Sequence, residues 1–353
     1  MKPDRLRARR GRLAADTVTL AHGAGGRAMR DLIDDLFVGG FASAELAGLE
    51  DQARLDIEDL RQAGARLAFT TDSYVVDPLF FPGGDIGTLA VNGTVNDLAM
   101  GGARPLYLSC GMIIEEGLPV ATLRRVVASM KAAADAAGVA IVTGDTKVVP
   151  RGGADKLFIN TAGVGVIPPG RNPTAAGARP GDVILINGPI GDHGAAIVDA
   201  RGELALENTV ESDCQPLNGL VDALFDACPD VHCLRDATRG GLATVLNEFA
   251  VESGVSIRID ERAVPVREQV RGLCEILGLD PLYLANEGKL VAVVPSEAAE
   301  EALSALRSHP AGREAAIIGQ VQTGPPGTVV LATVFGGDRL VDMLVGEQLP
   351  RIC

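Results

Sequence analysis

The chain has no tryptophan, and aromatic residues make up only 3% of it, although 47% of its residues are hydrophobic. Its cores must therefore be packed from Ala, Val, Leu and Ile, as in layered helix-and-sheet proteins. No Gly-x-x-x-x-Gly-Lys-Ser/Thr occurs, which excludes a Walker A phosphate loop. No run approaches the ~20 apolar residues of a membrane span. Lys2 to Arg12 is basic, but Leu13-Ala14-Ala15-Asp16-Thr17 is not the apolar stretch that an export signal needs, so a cytoplasmic protein is expected. Cations are outnumbered, 32 Lys and Arg against 46 Asp and Glu, giving a formal charge of −14. That balance argues against nucleic acid and against an anionic membrane as partner. The six cysteines, Cys110, Cys214, Cys228, Cys233, Cys274 and Cys353, lack the spacing of a disulfide framework. Cys228-Pro-Asp-Val-His232-Cys233 lacks the second ligand pair of a structural zinc site.

What is present is two similar halves of alternating strands and helices, enough chain for two cores. Residues 1–17 read as a disordered basic extension and 18–167 as a first domain. Pro168 to Pro173 cannot continue a helix or central strand and marks a boundary. Residues 174–340 read as a second domain, and 341–353 as a mobile tail ending in a cysteine. In the first half, Asp85 is placed to cap a helix through Leu98, and Pro119 and Gly138 bracket another. Leu67 to Ser73, Pro105 to Ile114, Ala140 to Val142 and Leu157 to Ile167 read as strands. In the second half, strands are expected at Val183, Val255, Leu290 and Ala316, with helices after Leu217, Leu242, Val266 and Glu297.

Aspartates recur where elements end beside Gly, Thr, Asn or Ser: Asp51, Asp72, Asp97, Asp145 and Asp236. Hard oxygen ligands of this kind suit Mg2+, which takes phosphate oxygens for the rest of its shell; each can also merely cap a turn. Asp97 sits late in its helix, where the macrodipole disfavours a negative charge and a cation would relieve it. His22-Gly23-Ala24-Gly25-Gly26 opens a helix with exposed backbone amides that suit an anion, or is a turn without a ligand. Lys147 can neutralise a phosphate or move a proton, and Glu287, in a polar insertion before a buried strand, can accept one. Cys353 places a nucleophilic thiol on a terminal arm.

Taken together, His22-Gly-Ala-Gly-Gly, Glu50-Asp-Gln-Ala, Thr71-Asp-Ser-Tyr, Asn96-Asp-Leu-Ala, Thr143-Gly-Asp-Thr-Lys, Asp236-Ala-Thr-Arg-Gly-Gly, Ala285-Asn-Glu-Gly-Lys and the terminal Pro350-Arg-Ile-Cys closely resemble the HypE family of hydrogenase maturation proteins. The resemblance runs from Val18 to Cys353. It implies an aminoimidazole ribonucleotide synthetase-like fold, with an N-terminal α+β domain that forms a homodimer and a C-terminal α/β domain. It further implies that HypF loads a carbamoyl group onto Cys353, that ATP and Mg2+ drive its dehydration to a thiocyanate, and that the cyanide passes through HypC–HypD to the iron of a [NiFe]-hydrogenase. By the same resemblance Asp51, Asp72, Asp97, Asp145 and Asp236 hold Mg2+. Gly23, Gly25, Gly26, Asn96 and Gly144 join them around the nucleotide, and Lys147 and Glu287 move protons. Two alternatives stay open: a small-substrate kinase or synthetase of the same superfamily, and a non-catalytic nucleotide-binding carrier.

Overall fold

A computed structural model describes residues 13–43, 45–46, 52–53, 55–202, 210–346, 349 and 351–353. In chain order the first half has α1 (Arg27–Leu32), α2 (Gly39–Phe41), α3 (Ile57–Ala63), β1 (Arg66–Tyr74), the short pair β2 (Phe80–Phe81) and β3 (Gly84–Asp85), and α4 (Ile86–Met100). β4 (Arg104–Glu115), α5 (Val120–Ala137), β5 (Ala140–Val149) and β6 (Leu157–Ile167) complete it. The helix expected to open after Gly26 forms as α1, but it widens to a π-helical turn over Ile33–Val38. Residues 13–17, assigned to the extension by composition, are tied down: the Leu13 amide donates to Asp35, the Val120 amide to the Asp16 carbonyl, and Thr17 bridges Pro119.

Four of these strands form a sheet in the order β1-β6-β4-β5, antiparallel except for β4 beside β5. α4 lies on this sheet and is buried nearly all round, as befits an apolar helix between two layers. Its cap is the expected one, Asp85 accepting from the Gly87 and Thr88 amides at 2.8 and 3.0 Å. Small residues let it approach closely. A Cβ on Gly93 would stand 2.2 Å from the Tyr74 hydroxyl. The opposite sheet face is open and carries exposed Leu67, Phe69 and Ile113.

The second half has β7 (Val183–Ile186), α6 (Asp192–Ala200), α7 (Asn218–Ala227), β8 (Cys233–Asp236), α8 (Gly241–Ser253), β9 (Ser256–Asp260) and α9 (Glu268–Leu277). β10 (Leu290–Val294), α10 (Ala299–Ser308), β11 (Ala316–Gln322), β12 (Thr328–Ala332) and β13 (Asp338–Leu340) follow. The strands form one sheet, β13-β12-β9-β11-β7-β10-β8, antiparallel except for β9 beside β12. In this half four elements escaped the sequence reading, as did α2, α3, β2 and β3 in the first. α6 begins inside the glycine-rich stretch Gly188-Pro189-Ile190-Gly191-Asp192-His193-Gly194, whose composition reads as a turn, and its Ala-rich run gives little periodicity. β8, β12 and β13 are too short for an alternation signal. No described helix is long and apolar enough to cross a membrane. The halves share packing, since Ala99 and Met100 of α4 join a core with Leu220, Leu224 and Phe225 of α7.

Candidate active site

The chain end is docked between the halves. The tail runs antiparallel to the residues that follow β1: the Val75 amide donates to the Cys353 carbonyl at 3.0 Å and the Asp77 amide to the Arg351 carbonyl at 3.3 Å. Ile352 is buried, and Cys353 packs partly buried against the first-half core. The thiol residue borders a cavity of about 260 Å3 shared with Val75, Arg239, Gly240, Tyr283 and Ala285. The residues expected to form a mobile arm thus include a docked terminus.

Glu287, two residues beyond Ala285, is buried. Burial, and then Asp213, Asp236 and Asp72, hold its carboxyl well above the usual carboxylate range. Asp236 closes β8; burial and then Asp97 and Asp72 push it up to about 7. Asp97 is also raised, first by burial, despite accepting from the Thr70 hydroxyl at 3.1 Å. Asp213, Asp236 and Asp72 therefore crowd like charges around Glu287, and Asp97 joins Asp72 and Asp236; Arg235 opposes at Asp97 and Asp236, and Arg239 at Asp97 and Glu287. Among the described residues no three acidic, His or Cys side chains make a ready metal cage. The set nevertheless fits Mg2+, which binds few carboxylates directly and relieves the repulsion between them.

The expected site is not gathered whole within one chain. Asp145 and Lys147, 3.4 Å apart and exposed, lie on β5, the opposite edge strand of the four-stranded sheet from Asp72. Residue alternation sends them to the open face, since Thr146 between them is buried. Three strand spacings, roughly 14 Å, separate the two edges. Gly144 sits opposite Cys110, whose carbonyl a Cβ would meet at 2.3 Å, so a close strand approach already requires glycine there. Gly23, Gly25 and Gly26 belong to this second group. Gly23 packs on Val148 of β5, and Gly26 caps α1. Asn96 spends its amide on a tie between the halves, donating to the Gln215 carbonyl and accepting from the Leu217 amide at 2.8 Å. Asp51 lies outside the described residues.

Asp213 carried no signal in the sequence, and Asn286, Gly288 and Lys289 stood there only as neighbours of Glu287 in the Ala285 to Lys289 motif. Asp213 and Lys289 form a buried ion pair at 2.9 Å, and Asp213 also accepts from the Glu287 and Gly288 amides. A Cβ on Gly288 would fall 1.9 Å from the Asp213 carbonyl, so only glycine admits this approach. Asn286, fully buried, ties the Gly191 amide to the Ala237 and Leu284 carbonyls and so fixes the loop carrying Glu287. On the far side of the ion pair lies a cleft of about 480 Å3, bordered by Asn187, Asp192 and Arg267, with no tail residue in its walls.

Models of AIR synthase related proteins match this chain twice, the N-terminal domain over residues 49–167 and the C-terminal domain over 179–332. Carbamoyl dehydratase HypE of Rhodobacter capsulatus is 59% identical over 97% of this chain and 99% of its own length. A crystal structure of hydrogenase maturation protein HypE in complex with ATP superposes with a TM-score of 0.91 at 56% identity, covering 96% of this chain and all of that one. One from a HypE–HypF complex gives 0.77 at 48% identity, covering 89% and 99%. Identity of this order, spread over both domains and nearly the full length, means that the chain belongs to the carbamoyl dehydratase HypE family.

Proposed function

We propose that this chain is an ATP-dependent carbamoyl dehydratase whose substrate is a carbamoyl group on its own Cys353 thiol. The observation that carries the reading is the docked tail, which puts Cys353 at a cavity wall beside the loop of Glu287. A free small substrate would have no need of that thiol. The carbamoyl oxygen attacks the γ-phosphorus of ATP and ADP leaves. The C–O bond then breaks with loss of phosphate, while the two nitrogen protons pass to bases. The thiocarbamate becomes a thiocyanate, and the oxygen that would have left as water leaves in phosphate. Docking holds the reacting group at high effective concentration. Glu287, whose raised pKa makes it a stronger base once ionised, accepts a nitrogen proton. Asp72, Asp97 and Asp236 would hold Mg2+, which when bound with the nucleotide neutralises phosphate charge.

Lys147 and Asp145 would join through a homodimer. Two copies packed on the open sheet face would cover Leu67 and Phe69, 63% and 70% exposed, and bring both residues into the interface. HypF as the loading partner is supported by the HypE–HypF complex of a relative at 48% identity. A thiocyanate needs an acceptor for its cyanide, the role that the family resemblance assigns to HypC–HypD. The buried free thiols of Cys110, Cys228, Cys233 and Cys274 suit a reducing cytoplasm.

Incubating the protein with its carbamoyltransferase, carbamoyl phosphate and ATP·Mg, then weighing the C-terminal peptide, tests the reading. A carbamoyl adduct on Cys353 that becomes a cyano adduct, absent in Cys353→Ala, is expected. Carbamoylation with no loss of water would leave a carrier. Asp236→Asn removes one of the crowded charges and is expected to raise the melting temperature of the nucleotide-free protein at pH 8. The same substitution should weaken ATP·Mg binding at least ~10-fold, about 1.4 kcal/mol, by calorimetry.

A further inference from the structure

We propose that His193 and Arg201, at the two ends of α6, form a latch that reads main-chain carbonyls of the tail and positions Cys353 for dehydration. The inference rests on the dehydratase reading above and assigns its positioning residues. His193 is fully buried, and its Nε2 lies 2.8 Å from the Ile352 carbonyl. A carbonyl only accepts, so Nε2 carries the proton. Nδ1, 2.8 Å from the Ser212 hydroxyl, then accepts from it. Burial pushes the imidazole pKa down and keeps it in this neutral form. The Phe81 ring meets the imidazole edge-on at 5.5 Å and fixes its plane.

Arg201 follows the last residue of α6. Its guanidinium donates to the Arg351 carbonyl and to the Asp77 carbonyl, each at 3.0 Å. It thus joins the tail to the strand-like segment on which the tail lies. With the Val75 amide on Cys353, each of the last three carbonyls of the chain has a donor.

The docked form needs holding. Arg351 adopts φ 52, a left-handed backbone that is strained for a non-glycine residue. Its own side chain helps, donating to the Val75 carbonyl at 3.1 Å and pairing with Asp155. Latch and strain oppose each other, which suits a segment that must dock for one step and leave for another. Loading by a separate transferase needs the thiol outside, whereas dehydration needs it inside. The latch therefore favours dehydration and disfavours loading.

The test uses the full chain, with Arg201→Met and His193→Leu on the body and Ile352→Ala on the tail. Ile352→Ala empties the tail's buried anchor without touching either domain. Reactivity of Cys353 toward 4,4′-dithiodipyridine is followed by mass spectrometry of the terminal peptide. In a second assay, single-turnover rates are taken separately for loading and for dehydration. Arg201→Met, which removes hydrogen bonds from a charged group, and Ile352→Ala, which strips a buried apolar anchor, are each expected to raise thiol reactivity about tenfold or more. Dehydration should slow while loading holds or quickens. His193→Gln, which keeps an N–H donor, should recover part of what His193→Leu loses. A general packing defect would not move the two steps in opposite directions. Unchanged thiol reactivity in both Arg201→Met and Ile352→Ala overturns the latch, and so does raised reactivity with dehydration unslowed. A wild-type protein that never converts its adduct would sink the dehydratase reading instead, while thiol reactivity would still decide the latch.

Discussion

Glu287→Gln should leave the carbamoyl adduct on Cys353 intact and slow its conversion by roughly 10²–10⁴-fold, the usual worth of a positioned general acid or base. The substitution keeps the shape of the side chain and removes its proton chemistry, so loading should not change. The raised pKa gives the sign of the pH effect. As a base Glu287 works only when ionised, so the wild-type dehydration rate should climb as pH rises past the ordinary carboxylate range, and the variant should lose that climb. Stability moves the other way. A carboxyl whose folded pKa is raised contributes stability below its unfolded pKa and loses it as pH rises through the folded value. The variant is therefore expected to melt no lower than wild type at pH 8 while having lost its activity. Quench-flow of the preloaded protein, with calorimetric melts at pH 5 and 8, reads both. Undiminished conversion by Glu287→Gln would move the base elsewhere.

Lys289→Met should be among the most destabilising single changes in the chain. The Asp213–Lys289 pair is nearly solvent-free, and removing one partner of such a pair costs about 3–5 kcal/mol because a charge is left buried alone. Burial by itself would raise the Asp213 carboxyl. Lys289 first, by its charge and its hydrogen bond, and then the Glu287 amide bring it below the ordinary range. In wild type this group adds stability above its unfolded pKa of about 3.9 and loses it as pH falls through the lower folded value. Without Lys289 the burial effect prevails, and stability should instead decline as pH rises above ~4. The gap between variant and wild type in urea melts should thus widen from pH 4 to pH 7. The double variant Asp213→Asn/Lys289→Met should recover much of the loss, because no uncompensated charge remains.

Local chemistry made much of the fold legible. α4 is marked by Asp85 and its apolar run, α5 by Pro119 and Gly138, and β10 by five consecutive buried residues. Each signal lies within a few residues of what it specifies. α6 was missed because small residues blur the helical period. β5 was cut short because Thr143 to Lys147 looks like a polar turn, yet pairing with β4 carries it on through Asp145 and Lys147. The second-half sheet, expected as α/β layering, is mostly antiparallel, a matter of strand pairing that alternation along the chain does not specify.

The candidate site divides in the same way. The sequence by itself determined which groups are the candidates for the chemistry: a terminal thiol, a set of aspartates at element ends, Lys147 and Glu287. Only the tertiary structure decided that Asp72 and Asp236 crowd around Glu287, with Asp97 beside both aspartates, while Asp145 and Lys147 turn to the other sheet face, because a side chain's face depends on strand alternation and sheet order together. It also decided that Asp213 pairs with Lys289 across 76 residues, and that His193 and Arg201 reach the tail across 159 and 150. Those last two contacts end on backbone carbonyls, which every residue possesses, so nothing in the tail's side chains announces its donors.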